Sequence, residues 1–185
     1  MHITRFTLNG KEVHTHAHPL TRLIDVLREE FGMTGVKEGC GEGECGACSV
    51  LKDNMIVNSC IMALGMVDGC SIETPEGIAA TARGRAIGDA YAEAGAVQCG
   101  FCMTGMAVAT EALLRHTARP DEAEIRTAIS GNLCRCTGYA LIVEGVKRAA
   151  AARAQGAATE APRAAAVPGA ETAARRETAA KGTDS

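Results

Sequence analysis

The chain of 185 residues contains no tryptophan, three phenylalanines and two tyrosines. Phe6, Phe31, Phe101, Tyr91 and Tyr139 are therefore all it has for stacking on a nucleobase. Nor is there an excess of basic charge: 19 Lys+Arg stand against 22 Asp+Glu, for a formal net charge of −3. A chain without a basic footprint is a poor match for a phosphate backbone, which argues against nucleic-acid binding. No apolar run approaches the ~18 residues expected of a membrane span. The opening Met-His-Ile-Thr-Arg-Phe-Thr-Leu-Asn-Gly lacks a charged leader followed by an apolar block. No secretory signal is expected, and the cytoplasm is the expected location.

Cysteine, by contrast, is abundant, with nine in the chain. Without an export signal the thiols should stay reduced, a condition that favours metal over disulfides. Eight of them form two groups of four. Cys40, Cys45, Cys48 and Cys60 follow C-x4-C-x2-C with a distant fourth. Cys99, Cys102, Cys134 and Cys136 read C-x2-C, a long gap, then C-x-C. The first spacing is that of plant-type 2Fe–2S ferredoxins, in which four thiolates hold the cluster. The loop Gly39–Cys48 is dense in glycine because a short loop that turns its sulfurs inward needs positive φ angles and unobstructed N–H groups. Two complete quartets in one short chain predict two one-electron centres. The rival reading of each quartet is a structural zinc site, which also uses four cysteines. A free-standing two-cluster ferredoxin is a further alternative.

The order of elements predicts an α+β protein. Residues 3–8 and 11–16 flank Asn9-Gly10, a strong hairpin signal. Leu20, Leu23, Ile24, Leu27 and Phe31 recur at helical spacing between Pro19 and Gly32. A second hairpin is expected at 49–52 and 55–58 about Asp53-Asn54. A short apolar helix after Cys60 and a strand at 71–74 complete a pattern compatible with a β-grasp. Pro75-Glu76-Gly77 marks a boundary, beyond which helices are predicted at 86–94, 104–116, 121–130 and 139–153. Ile125, Ala128 and Ile129, and then Ile142, Val143, Val146 and Ala149, would form the buried faces of the last two. The expected units are 1–76, 77–154 and a disordered tail over 155–185, which offers Val167 as its single large aliphatic residue. Small cores with few aromatics would depend on bound clusters as staples.

In the second quartet, Val97-Gln98-Cys99-Gly100-Phe101-Cys102 and Gly131-Asn132-Leu133-Cys134-Arg135-Cys136-Thr137-Gly138-Tyr139 each precede a predicted helix. Helix N-termini carry free N–H groups and positive potential, which stabilise thiolates. Taken together, GCGEGECGACSV, NSC, QCGFC and GNLCRCTGY resemble the small iron–sulfur subunit of the xanthine dehydrogenase family of molybdenum hydroxylases, over about residues 2–152. The resemblance implies an N-terminal β-grasp plant-type ferredoxin domain followed by an all-α four-helix-bundle domain, each with one 2Fe–2S cluster. It implies Cys40, Cys45, Cys48 and Cys60 as ligands of one, and Cys99, Cys102, Cys134 and Cys136 of the other. It further implies a large molybdopterin-binding partner and a medium FAD-binding partner, assembled as a heterotrimer or a dimer of heterotrimers. Electrons would run from molybdopterin through the helical-domain cluster, then the ferredoxin-like cluster, to FAD. Gln98 would lie near the pterin. The chain departs from the family in having Met103-Thr104 where Thr-Pro is usual, and Thr104 is expected to cap the helix in proline's place.

Other features have plainer readings. Cys70 is expected to be a free thiol, since both quartets are complete without it. His14, His16 and His18 alternate along a solvated strand edge. His116 falls near a helix C-terminus, where it compensates the dipole. Met62, Met66, Met103 and Met106 are expected to pack around the clusters. No nucleophile–base arrangement or carboxylate pair suggests catalysis on this chain.

Overall fold

The computed structural model describes residues 3–154, and the tail expected over 155–185 lies outside them. The N-terminal half is built on a five-stranded sheet. Strands β1 (Thr4–Leu8) and β2 (Lys11–Thr15) pair antiparallel, as do β3 (Ser49–Lys52) and β4 (Met55–Asn58). The fifth strand, β5 (Ser71–Glu73), lies between the hairpins, parallel to β1 and antiparallel to β3, for an order β2-β1-β5-β3-β4. The last strand in sequence is thus the middle of the sheet, as a β-grasp requires.

Asn9-Gly10 turns the first hairpin, with φ of 51° and 81°. Both residues need the left-handed region that such two-residue turns favour. The Asn9 side chain points inward: its Oδ1 accepts the Thr74 N–H at 2.9 Å and its Nδ2 donates to Thr74 Oγ1 at 3.0 Å. That clasp fixes the end of β5, where the chain leaves the sheet.

The crossing helix is shorter than its periodicity predicts. It begins as α1 (Leu23–Asp25) and continues over Val26–Glu30 as a π-helical segment, closed by the Phe31 N–H donating to Val26. Arg22 is extended and forms an isolated bridge with Ala63, so the helix starts only at Leu23, and Leu20 is 77% exposed. Leu20 therefore does not belong to the apolar stripe. Leu23, Ile24, Leu27 and Phe31 do, and they pack with Phe6, Leu8, Val50, Leu64 and Ile72 in one core. Phe6 and Phe31 meet edge to face at 5.8 Å, the geometry favoured by aromatic quadrupoles.

Pro75 opens a short helix, α2 (Pro75–Ala79), where only a boundary is legible in the sequence. Proline is well suited to the first helical turn, because its missing N–H has no partner there in any case. Helix α3 (Ala82–Glu93) starts four residues earlier than the apolar pattern suggests, because the Thr81 side chain caps it by accepting the Gly84 N–H. Helices α4 (Met103–His116), α5 (Glu122–Ile129) and α6 (Ala140–Ala154) follow close to their expected positions. A capping box of Asp121 and Glu124 starts α5. Their core gathers Ile87, Tyr91, Met106, Ile125, Ile129, Ile142, Val143, Val146 and Ala149. A third small cluster of Leu51, Ile78 and Val108 joins sheet to helices.

Candidate metal centres

The four cysteines of the first quartet lie at the end of the sheet. Cys48 enters β3 and Cys60 follows β4, so the hairpin brings both to the core, where each is 2% exposed. Their sulfurs are 3.3 Å apart. Cys40 sits on the exposed arm of the glycine loop, with Cys45 half-buried behind it. Gly41, Gly43 and Gly46 all have positive φ (72°, 82° and 67°), which turns successive N–H groups inward. Those of Glu42 and Glu44 donate to Cys40 Sγ, each at 3.4 Å. The N–H groups of Glu42, Cys45 and Glu44 bring the Cys40 thiol down to about 7, whereas burial pushes Cys48 up to about 12.

The second quartet is assembled from two loops. Cys102 is the N-cap of α4, with Cys99 in the turn before it. Cys134 and Cys136 lie in the loop before α6. The Cys99 and Cys136 sulfurs are 3.6 Å apart on the exposed side, and Cys102 is buried. Burial pushes the Cys102 thiol up to about 12. At Cys134 burial acts in the same direction but is outweighed by the Thr137 hydroxyl and the N–H groups of Cys136 and Thr137, which bring the thiol down to about 7. Thr104 does not cap α4: its hydroxyl is buried without a partner among the described residues.

In both quartets the close sulfur contacts are pairwise, and among the described residues no three potential ligands converge on a single point. Two sulfurs on one tetrahedral metal, with bonds of about 2.3 Å, are separated by about 3.8 Å. The Cys48–Cys60 and Cys99–Cys136 spacings are near that value.

The two cysteine loops touch. The Leu133 N–H donates to the Cys45 carbonyl at 2.9 Å, and Asn132 Nδ2 donates to the Gly46 carbonyl at 2.8 Å. A Cβ on Gly46 would run into the Gly131 carbonyl and Asn132, and one on Gly105 of α4 into the Gly46 carbonyl. Glycine at 46 and 105 lets the backbones meet directly. A second link lies farther from the cysteines. Arg115 of α4 pairs with Glu73 of β5 at 2.7 Å and with Glu111 at 2.8 Å, and Glu111 also holds Arg83 of α3 at 2.6 Å.

Apart from the i, i+4 spacing of Glu111 and Arg115, no local signal in the sequence marks the contacts made by Asn132, Arg115, Glu111 and Thr137. Gln98 is exposed next to Cys99. Cys70 lies apart in the turn before β5, its thiol directed at the carbonyls of Met66 and Asp68. The rings of His14 and His16 are exposed and 5.8 Å apart. Met106 is buried as expected, but Met66 is 62% exposed and is not a packing residue.

Residues 6–66 match the family model described as 2Fe-2S iron-sulfur cluster binding domain, and residues 74–147 match the [2Fe-2S] binding domain. The nicotinate dehydrogenase small FeS subunit of Eubacterium barkeri is 47% identical over 142 residues, spanning 77% of this chain and 90% of that protein. The xanthine dehydrogenase iron-sulfur-binding subunit of Escherichia coli O157:H7 is 46% identical over 145 residues, spanning 76% and 89%. Among solved structures, the aldehyde oxidoreductase from Desulfovibrio gigas superposes with a TM-score of 0.78 at 37% identity, over 84% of this chain and 18% of that longer one.

Proposed function

The chain belongs to the 2Fe–2S subunits of the xanthine dehydrogenase family of molybdenum hydroxylases, and from that premise we propose how its two halves divide the work of electron transfer. The units are 1–76 and 77–154. Cys40, Cys45, Cys48 and Cys60 would hold one cluster; Cys99, Cys102, Cys134 and Cys136 would hold the other. Cys48 with Cys60, and Cys99 with Cys136, would serve as neighbouring ligands, a reading supported by their sulfur spacings. When bound, each cluster supplies a one-electron site.

The residues of the chain do the rest. Gly41, Gly43 and Gly46 curl the first loop and aim its N–H groups inward. The buried Cys48, Cys60 and Cys102 exclude water from the inner sides of the two sites. The contact of Leu133 N–H with the Cys45 carbonyl carries this reading. It joins a ligand of one quartet, by a single hydrogen bond, to the residue next to a ligand of the other. A relay of single electrons needs its two stations fixed close together, and here the fixing element is also a direct hydrogen-bonded connection between the cysteine loops. A pair of structural zinc sites would have no use for it.

The exposed sides face the partners. Cys99 and Cys136, with exposed Gln98, Val97 and Phe101 around them, face the molybdopterin-bearing chain, with Gln98 near the pterin. Cys40, with Ile61 exposed over Gly43, faces the FAD-bearing chain. The assembly is a heterotrimer or its dimer, acts on an N-heterocycle, an aldehyde or a similar small molecule, and resides in the cytoplasm. No helix among the described residues is long and apolar enough to cross a membrane. Purification of the chain expressed with its genetic neighbours tests the reading. The expected product is a coloured complex that contains molybdenum, flavin and equal amounts of iron and acid-labile sulfide. A colourless zinc protein, or a coloured chain that travels alone, would refute it.

A further inference from the structure

The two quartets differ in what approaches their sulfurs. At the first, the donors to Cys40 Sγ are the backbone N–H groups of Glu42 and Glu44. At the second, a side chain joins the backbone N–H groups of Cys136 and Thr137: Thr137 Oγ1 lies 3.1 Å from Cys134 Sγ. It is the one side-chain hydroxyl bonded to a quartet sulfur among the described residues. A metal-bound thiolate has no proton, so the hydroxyl must be the donor in this pair. The geometry also orients that proton. The Tyr139 N–H donates to Thr137 Oγ1 at 3.3 Å and so occupies an acceptor position on the oxygen. Positive φ at Gly138 (67°) and Tyr139 (69°) folds the backbone back far enough for this. From the other side, the Tyr139 phenol oxygen accepts the Cys134 N–H at 2.7 Å. Cys134 is thus held at its amide by one residue of the turn and at its sulfur by another.

We propose that Thr137 raises the reduction potential of the helical-domain centre by donating its hydroxyl proton to the Cys134 sulfur. The inference rests on Cys134 being a ligand, as read above. An electron added to a thiolate-bound cluster increases the negative charge on its sulfurs, so a fixed donor stabilises the reduced form more than the oxidised one. The first centre takes its donors from the backbone, where no side-chain substitution removes them. The second carries, beside its backbone donors, one that a side-chain substitution removes. The two potentials are therefore adjustable independently, and Thr137 makes the helical-domain centre a better electron acceptor than it would be without the hydroxyl.

The test is an EPR-monitored redox titration of the assembled complex carrying Thr137→Val, which keeps the branched shape and deletes the donor, and Thr137→Ser, which keeps the hydroxyl. The Val variant should shift the second centre to lower potential with full iron and an unmoved first centre. The Ser variant should titrate like the parent. Pulsed EPR after exchange into D2O should show a strongly coupled deuteron that Val lacks and Ser keeps. An unmoved potential in the Val variant overturns the proposal, as does an equal shift in the Ser variant. Loss of the second cluster from the Val variant also overturns it, since the hydroxyl would then be a requirement of assembly. Cys134→Ser tests the premise separately: if all the iron is retained, the ligand assignment has failed, whatever Thr137 does.

Discussion

The sheet half and the helical half of this chain each gather four thiols, by opposite means. In the first, one glycine-rich loop supplies Cys40, Cys45 and Cys48, and a hairpin returns Cys60 beside Cys48. Backbone curvature makes the site, and the electrostatic help comes from N–H groups of the loop itself. In the second, the thiols come from two separated loops that lead into α4 and α6. Helix packing makes that site, and side chains such as Thr137 and Tyr139 finish it. A site made by curvature is sensitive to any Cβ in its loop, whereas a site made by docking helices is sensitive to whatever holds the helices in place. The two meet at Gly46, Asn132 and Gly105, where neither can change without the other.

The comparison is broken most completely by removing one quartet thiol from each half. Cys48→Ser should cost half of the iron and stop flavin reduction, while the second centre remains reducible by substrate. Cys136→Ser should cost the other half and stop electrons at the molybdenum partner. Rapid-freeze EPR and flavin absorbance of the assembled complex distinguish the two. If the Cys48 variant reduced flavin at the parent rate with its cluster absent, the sheet half would be a structural element and only the helical half would carry electrons.

The seam between the halves comes next. Gly105→Ala should raise intrinsic helix propensity by about 1 kcal/mol, yet its Cβ would meet the Gly46 carbonyl. Overpacking against backbone should prevail, for a net loss of about 2 kcal/mol. Gly46→Ala adds the strain of a side chain at φ 67° and should lose about 3 kcal/mol. Denaturant unfolding of the holo chain measures both. A stabilised Gly105→Ala variant would mean that the loops do not depend on each other.

Much of this is legible in the sequence. The quartets, both hairpins and the last three helices follow from cysteine spacing, turn residues and apolar period, all local signals. What was not legible depends on contacts distant in sequence. Leu20 fits the helical period, but the bridge of Arg22 to Ala63 removes it from the helix. Thr104 has the chemistry of a cap, but Cys102 already occupies the N-cap position. Asn132 reads as a loop residue until its side chain is seen on the Gly46 carbonyl, 86 residues away in sequence. Glu111 reads as one surface acid of an amphipathic helix, yet it is 1% exposed between two arginines.

That buried acid gives a smaller and sharper test of how the halves are tied. Arg115 reaches from Glu111 to Glu73 in the sheet and to Asn54 in the second hairpin turn. Arg115→Met keeps much of the packing and removes the link. Breaking a fully buried pair costs about 3 kcal/mol or more. Here Arg83 still covers Glu111 and Glu73 is partly solvated, so about 1.5 kcal/mol is expected. The measurement that matters is the magnetic coupling between the two reduced centres. An unchanged coupling would assign the fixing of distance to the Asn132–Gly46 seam alone, and a changed one would make Arg115 part of it.

Cys70 should give the smallest effect and set the baseline for the rest. It is the fifth cysteine of the sheet half, and its thiol contacts the carbonyls of Met66 and Asp68 in the turn that leads into β5. Lys52 and Asp53 lie beside it, and the Asp53 carboxylate accepts the Ser71 N–H at 2.8 Å, so the turn is held without the thiol. Serine is nearly isosteric and can donate to the same carbonyls. Cys70→Ser should therefore change stability by no more than about 0.5 kcal/mol and leave iron, sulfide and both EPR signals as in the parent. Iron and sulfide analysis of the purified variant decides the matter. A fall to half the iron would make Cys70 a ligand, and one of the four thiols assigned to the curved loop and its hairpin would then be the spare.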